Sequence, residues 1–432
     1  MKEWVVKKLG EIAEFTNGGA WKPDEYVESG IPVVRVSDIQ NETVNLEQCK
    51  YLSPESFTKY KKHALFTGDL VITTVGSHPT QPGSVVGRPG IVPDYVQGAL
   101  LNQNAVRIAP ANDALDKKYL GFLGKSQVFR DYIIGHARGS ANQVRMSIEL
   151  IKEMEVHLPP LLIQRKIATI LSAYDDLIEN NTRRIEILEE MARSLYREWF
   201  VNFRFPGHEQ VKMVDSELGL IPEGWKVVPL EKLTHPKKPI QYGVLKPGES
   251  DDNGVLLIRG GDILNGTIAT YQLRTITKEV SNKYKRTLLE GGELIVSLVG
   301  NPGEVAVVPE KLKGANIARQ AGRVVLQKEL YTPYVMRFLM SDKGRGELFA
   351  STTGSVQKVI NIIALKQVRI LLPQDSVLHK AVPIFNSIYQ YQEILREKIQ
   401  NFRQTRDLLL PKLISGEIDV ENLDIALEEI AA

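Results

Sequence analysis

Gly124-Lys125-Ser126 ends like a phosphate-binding loop, in which backbone N–H groups cradle a phosphate and a lysine reaches its charge. The first glycine of such a loop falls at Tyr119, inside a stretch with helical spacing, so the cradle is missing. Pro93-Asp94 with Asp116 and Lys118 loosely imitates a magnesium nuclease signature. Asp116-Lys117-Lys118 opens a helical stretch instead of lying on a strand, and the second half of the chain has Tyr331-Thr332-Pro333 there. Pro159-Pro160 lacks the preceding polar residue and following aromatic of an amino-methyltransferase site. His63, His78, His136, His157, His208, His235 and His379 form no His-x-His or His-x-x-x-His pair that would hold a metal. Cys49 is the only cysteine, which excludes an intrachain disulfide and a multi-cysteine zinc site. The expectation is a chain with no catalytic residue, no metal site and no cofactor of its own.

Other groups suit DNA. Lys59, Lys61 and Lys62 surround Tyr60, and Lys283, Lys285 and Arg286 surround Tyr284; both sets could neutralise phosphates, with a solvated turn as the alternative. Arg138-Gly139-Ser140-Ala141-Asn142-Gln143-Val144-Arg145 has a counterpart in Gly354-Ser355-Val356-Gln357-Lys358. Arginine can bond guanine through two hydrogen bonds and Asn or Gln can do so with adenine, so Arg138, Ser140, Asn142, Gln143, Arg145, Ser355, Gln357 and Lys358 are candidate DNA contacts. The loop Gly76-Ser77-His78-Pro79-Thr80-Gln81 adds Ser77, His78, Thr80, Gln81 and, beyond it, Arg88; its counterpart Gly300-Asn301-Pro302 adds Asn301. Asn102, Gln103, Asn104, Arg319 and Gln320 complete the set. Arg35 and Arg259 sit at strand ends, where an ion pair with Asp38 or Asp262 competes with a base contact.

The elements that must carry these groups are written twice. Gly30-Ile31-Pro32-Val33-Val34-Arg35-Val36-Ser37-Asp38-Ile39 matches Gly254-Val255-Leu256-Leu257-Ile258-Arg259-Gly260-Gly261-Asp262-Ile263. Gly68-Asp69-Leu70-Val71 matches Gly292-Glu293-Leu294-Ile295 at the same offset, and Ala105-Val106-Arg107 lines up with Ala321-Gly322-Arg323. Each half begins with β-rich runs punctuated by Gly and Pro, continues through one short helical stretch (about 114–133 and about 330–349), and meets a proline boundary before a long helix.

The long helices carry apolar residues at alternating spacings of four and three. The first seam reads Ile167, Leu171, Tyr174, Ile178, Asn181, Ile185, Leu188, Ala192, Leu195, Trp199. The second reads Ala381, Phe385, Ile388, Gln392, Leu395, Ile399, Phe402, Arg406, Leu409, Leu413. Such spacing over more than four heptads signals a coiled coil, with Asn181, Gln392 and Arg406 as polar layers that set register. Packing of each helix on its own β-rich domain is the alternative. Helices of this length would span roughly 55 Å and make a spacer.

Composition limits the rest. With 432 residues, 43% hydrophobic and 25% charged, the chain reads as several globular domains. No apolar run approaches the ~20 residues of a membrane span, and the start has no secretory pattern, so a cytoplasmic address is expected. The net charge is only +2, but six acidic and no basic residues follow Lys412, which leaves +8 on residues 1–412. A body of that charge is compatible with DNA.

The paired "G-[IV]-x-x-[VI]-R-x-x-D-I" segments, the paired "G-[DE]-L-[VI]" strands, the "GS-x-x-[QK]-V" loops and the trailing helices resemble the specificity subunit of a type I restriction-modification system. The resemblance covers essentially the whole chain and lies in the repeated plan. It implies an α+β protein of two similar β-rich α/β target-recognition domains in tandem, separated by two long helices in an antiparallel coiled coil. Residues 1–160 would form the first such domain, 161–205 the first long helix, 206–375 the second domain, 376–415 the second helix and 416–432 an acidic tail. Such a chain would be non-catalytic, read a bipartite, asymmetric double-stranded DNA site, and dock two methyltransferase (modification) subunits, with restriction (motor-nuclease) subunits joining them. S-adenosylmethionine, ATP and magnesium would then belong to those partners. Leu195–Phe200 and Leu408–Ile414 are candidate docking segments, internal core being the alternative. A protein-binding tandem scaffold, the recognition subunit of a fused restriction-modification enzyme and an independent nuclease are the competing readings.

Overall fold

The computed structural model describes residues 4–77, 84–140, 143–217, 219–271, 273–350 and 359–426, with the side chains of Ser140 and Gln143 outside the description. The chain forms two compact units, one of residues 1–182 and 396–432, the other of residues 183–395.

In the first unit a six-stranded sheet runs in the order Ala13–Asn17, Ala105–Pro110, Leu70–Thr73, Pro89–Ile91, Thr43–Val44, Ile39–Gln40. A second sheet pairs Leu100–Leu101 parallel to Ile31–Val34 and continues through Lys50–Leu52 to Tyr26–Val27. The second unit repeats both. Gln241–Tyr242, Ala321–Val324, Leu294–Ser297 and Val305–Val307 form one sheet, and Asn316–Ile317 lies parallel to Val255–Ile258 in the other, which Arg274–Ile276 extends. The central strands Leu70–Thr73 and Leu294–Ser297 are buried throughout, and their first three residues are apolar because both faces are covered.

The duplication reaches individual backbone bonds. The N–H of Asn102 donates to Val34 and that of Ala318 to Ile258, at 2.9 and 2.8 Å. Gly30 and Gly254 serve one purpose twice: a Cβ there would lie 2.3 and 2.2 Å from the carbonyl oxygens of Leu52 and Ile276, so only glycine fits. In each unit a two-stranded pair, Val5–Lys8 with Glu155–Leu158 and Lys226–Pro229 with Arg369–Leu372, leads to the approach of a long helix.

Each stretch expected as one short helix is two. Lys117–Lys125 and Gln127–His136 are separated by Ser126, whose hydroxyl caps the second by accepting from the N–H of Phe129. Ser341 separates Tyr331–Met340 from Asp342–Phe349 and accepts from Gly344. A serine cap satisfies an otherwise orphaned N–H and starts a new helix direction. Gly124-Lys125-Ser126 is therefore a helix junction, where Gly124 leaves room for Leu70.

The long helices are Leu161–Tyr196, continued by one π-helical turn Arg197–Val201, and Asp375–Ile414. In the first unit Tyr174 meets Phe402 edge to face, and Ile167 and Leu171 share a core with Leu410 and Leu413, so the two segments run antiparallel. In the second unit Gln392 donates to the carbonyl of Ile185 while Phe385 packs on Phe200, again antiparallel. Of the expected seam, Leu171, Asn181, Phe385, Ile388, Gln392, Leu395 and Ile399 are buried, and Tyr174, Ile178, Ile185, Leu188, Leu195, Phe402, Arg406 and Leu409 are half-buried. Arg406 donates to Asp175 at 2.6 Å. Desolvation works against its charge, but the hydrogen bond to Asp175 and the nearby Glu42 outweigh it and raise its pKa.

Candidate nucleic-acid interface

Tertiary pairing converts separate polar segments of the first unit into one site. Residues 138–145, expected as a loop, form two strands, Arg138–Ser140 and Gln143–Arg145, and the second strand pairs with Val75–Gly76. The polar sequence hides these strands because they are held by a neighbouring edge more than by apolar periodicity. Arg138 stands directly opposite Arg145, and both are exposed. Like charges facing each other across a hairpin destabilise it, and an anionic partner relieves that repulsion. Beside Arg145 lies a cleft of about 420 Å³, lined by Asn17, Thr74, Gln103 and Asn104 together with the segment 145–149. Its side-chain amides and hydroxyls are hydrogen-bond donors and acceptors at the scale of a base edge.

Next to Asn17, Gly18 lies against the backbone of Asn102, where a Cβ would come within 1.9 Å of the carbonyl oxygen. Asn17 and Thr74 were not among the sequence candidates. The Asn17-Gly18-Gly19 run at a strand end was the available signal for the first; nothing in the sequence marks Thr74.

The basic clusters are alike in the two units. Lys59 lies in the helix Ser56–Tyr60, and Lys61 and Lys62 in the turn Lys61–His63. Lys283 ends the helix Lys278–Lys283, and Lys285 and Arg286 open the turn Lys285–Thr287. All six are exposed. Lys59 is not wholly available: its ammonium lies 3.1 Å from Glu25 and rests over the Tyr60 ring. The Glu25 carboxyl is held down to about 2, first by the Lys22 backbone N–H, then by the Tyr60 hydroxyl and Lys59.

Other candidates have mixed surroundings. Arg88 donates to the carbonyls of Ile39 and Ser84 at 3.1 and 3.2 Å, so it braces the strand region it follows. Ser77 accepts from the Ser84 hydroxyl through its carbonyl. Asn102 is half-buried with its N–H spent on Val34, whereas Gln103 and Arg319 are exposed. The Gln320 carbonyl accepts from Leu298 and Val299, and the Asn301 carbonyl from Glu304. His78, Thr80, Gln81, Asn142, Ser355, Gln357 and Lys358 lie outside the described residues.

Among the described residues no group of three or more His, Cys, Asp or Glu is arranged to hold a metal ion, and no helix is long and apolar enough to cross a membrane. Asp116 caps the helix Lys117–Lys125 by accepting from Tyr119. The aromatic end of the first long helix is internal: Tyr196 and Phe200 are buried, and Phe200 packs on Tyr334 and Trp225. Exposed apolar residues of the second unit's helices include Val201 at the close of the π-helical turn, Ile187 and Met191, Ile363, and Ile384, Tyr391 and Ile394.

Residues 1–190 match the family model of the type I restriction modification DNA specificity domain. The chain is 24% identical, over 99% of its length, to the type I restriction enzyme EcoBI specificity subunit of Escherichia coli, of which the match covers 90%. It is 26% identical, over 98% of its length, to the MjaIX specificity subunit of Methanocaldococcus jannaschii, of which 95% is covered. The fold is similar to that of a type I restriction-modification S subunit from M. genitalium, with TM-score 0.56 and 14% identity over 95% of this chain and 96% of that one.

Proposed function

We infer that this chain belongs to the specificity-subunit family of type I restriction-modification systems and that its task in such a system is to read a DNA sequence in two separate parts. The observation that carries the reading is the hydrogen-bonded scaffold built twice, with unlike side chains set on the same frame. One unit would read one half-site and the other unit a different one, which makes the target bipartite and asymmetric. Phosphate contacts from Lys61, Lys62, Lys283, Lys285 and Arg286 would position the duplex, and Gln103, Arg138 and Arg145 would face base edges.

Two modification subunits are the partners in this reading, with restriction subunits joining them. The chain itself is non-catalytic, works in the cytoplasm and holds no cofactor; S-adenosylmethionine, ATP and magnesium serve the partners. The stripe Ile384, Tyr391 and Ile394, spaced by seven and three residues on one helix face, supports docking of such a partner.

Coexpression with the cognate modification subunit tests the proposal by genome-wide methylation mapping. The expected product is adenine methylation at a two-part motif with a fixed gap. One continuous motif, or none, counts against it. The purified chain with magnesium should leave a duplex uncut, and a chain with no salt-dependent duplex affinity would be a protein scaffold instead.

A further inference from the structure

The repeated frame allows the two base-facing places to be compared position by position. Asn17 pairs with Val106 and Tyr242 with Gly322 in equivalent strands. Thr74 and Leu298 are equivalent: their N–H groups donate to the carbonyls of Asn104 and Gln320, and their carbonyls accept from Met146 and Ile360. Counting from those bonds, Arg145 corresponds to Val359 and Glu149 to Ile363. The two places differ where Asn17, Arg145 and Glu149 of the first unit are replaced by Tyr242, Val359 and Ile363 of the second, while Val75 matches Val299 and Gln103-Asn104 matches the polar Arg319-Gln320. The first unit has the polar cleft of Asn17, Thr74, Asn104 and Arg145. In the second unit the three replacements and Val299 are open to solvent, with Tyr242 40%, Val299 36%, Val359 45% and Ile363 71% exposed. The Tyr242 hydroxyl accepts from the Ile362 N–H at 3.1 Å, which fixes the ring beside this segment.

We propose that the second unit reads a thymine through its 5-methyl group, with Ile363 and Val359 as specificity residues, while the first unit reads its half-site by hydrogen bonds. This rests on the DNA-reading function above. A single exposed apolar residue is ordinary, but Tyr242, Val359 and Ile363 all stand where the first unit has polar side chains, beside exposed Val299, and water disfavours such a set. The thymine methyl is the apolar group that a base presents in the major groove. The charge beside the patch fits a nucleic acid: exposed Arg319 is tied through its N–H to the carbonyl of Val244, two residues past Tyr242.

The test uses the full chain assembled with its modification subunits, on a duplex carrying the mapped site. Each thymine is replaced in turn by deoxyuridine, which lacks only the methyl. Replacement within one half-site should weaken binding about fourfold, the effect of one buried methyl group. Ile363→Ala and Val359→Ala, at exposed positions, should remove that dependence and leave the other half-site unchanged. No thymine whose methyl matters, or full methyl dependence in both variants, overturns the assignment. Loss of all site preference by the unsubstituted assembly is a different result, because it overturns the DNA-reading function on which the assignment rests.

Discussion

Arg35 grips Asp38 with two side-chain hydrogen bonds of 3.0 and 2.9 Å, and its own backbone N–H donates a third at 2.9 Å. Arg259 repeats the arrangement on Asp262 at 3.1, 2.9 and 2.7 Å. Each pair closes a short turn at a strand end, and Arg35 also donates to the carbonyl of Gln48. The hydrogen bonds to the aspartates raise the pKa of both arginines. Between an ion pair and a base contact, this geometry favours the ion pair. Arg35→Ala should therefore lower stability by about 1–3 kcal/mol, since it strands a buried carboxylate. Thermal unfolding checks the loss, and methylation mapping should return the same motif. A changed base preference would restore Arg35 as a DNA contact.

Arg145 is expected to act on sequence preference. It lines the cleft and is held in register by its strand's pairing with Val75–Gly76. Arg145→Ala should cost about 1–3 kcal/mol of binding and relax one half-site only. Competition binding against single-base variants of the site measures this. Equal weakening on every sequence would assign the side chain to phosphate.

Glu25 opposes DNA binding in this reading because it occupies Lys59. Its folded-state pKa of about 2 lies below the ordinary 4.5, so the pairing is complete above the ordinary value and is lost only as pH falls through about 2. Near neutral pH the carboxylate is fully charged. Glu25→Gln should free Lys59 for phosphate, raise duplex affinity, and steepen the plot of log K against log salt by up to about 0.9. A salt titration with an unchanged slope would place Lys59 away from the duplex.

The sequence was informative wherever one local pattern decided the structure. The Gly30 and Gly254 segments, the central strands and the heptad seam each carry their signal within a few residues, and all are present. The cleft was harder to read, because Asn17, Thr74, Gln103 and Arg145 come from four segments that meet only through strand pairing. Arg88 shows the limit of charge as a guide, since its partners are backbone carbonyls that composition does not mark. The repeat did align Arg107 with Arg323 and Asp69 with Glu293, yet their ion pairs could be recognised only once the strands were adjacent.

Those two ion pairs should respond unequally to the same substitution. Arg323 lies 3.0 Å from Glu293 and 2.9 Å from Glu290, and Arg323 and Glu293 are each 5% exposed. The second Glu293 oxygen is buried without a hydrogen-bond partner among the described residues, so this carboxylate depends heavily on Arg323. Arg107 lies 3.7 Å from Asp69, but Lys117 reaches the same carboxylate at 2.8 Å. The second half has Thr332 in the place of Lys117. Removing one member of a buried pair strands the other charge at a cost of about 3–5 kcal/mol, and a second cation reduces that cost. Arg323→Met should therefore destabilise the second unit more than Arg107→Met destabilises the first. Combining Arg323→Met with Glu293→Gln should recover part of the loss, because the stranded charge is gone. Hydrogen exchange resolved by unit separates the two effects, and equal losses would show that Lys117 does not share the load.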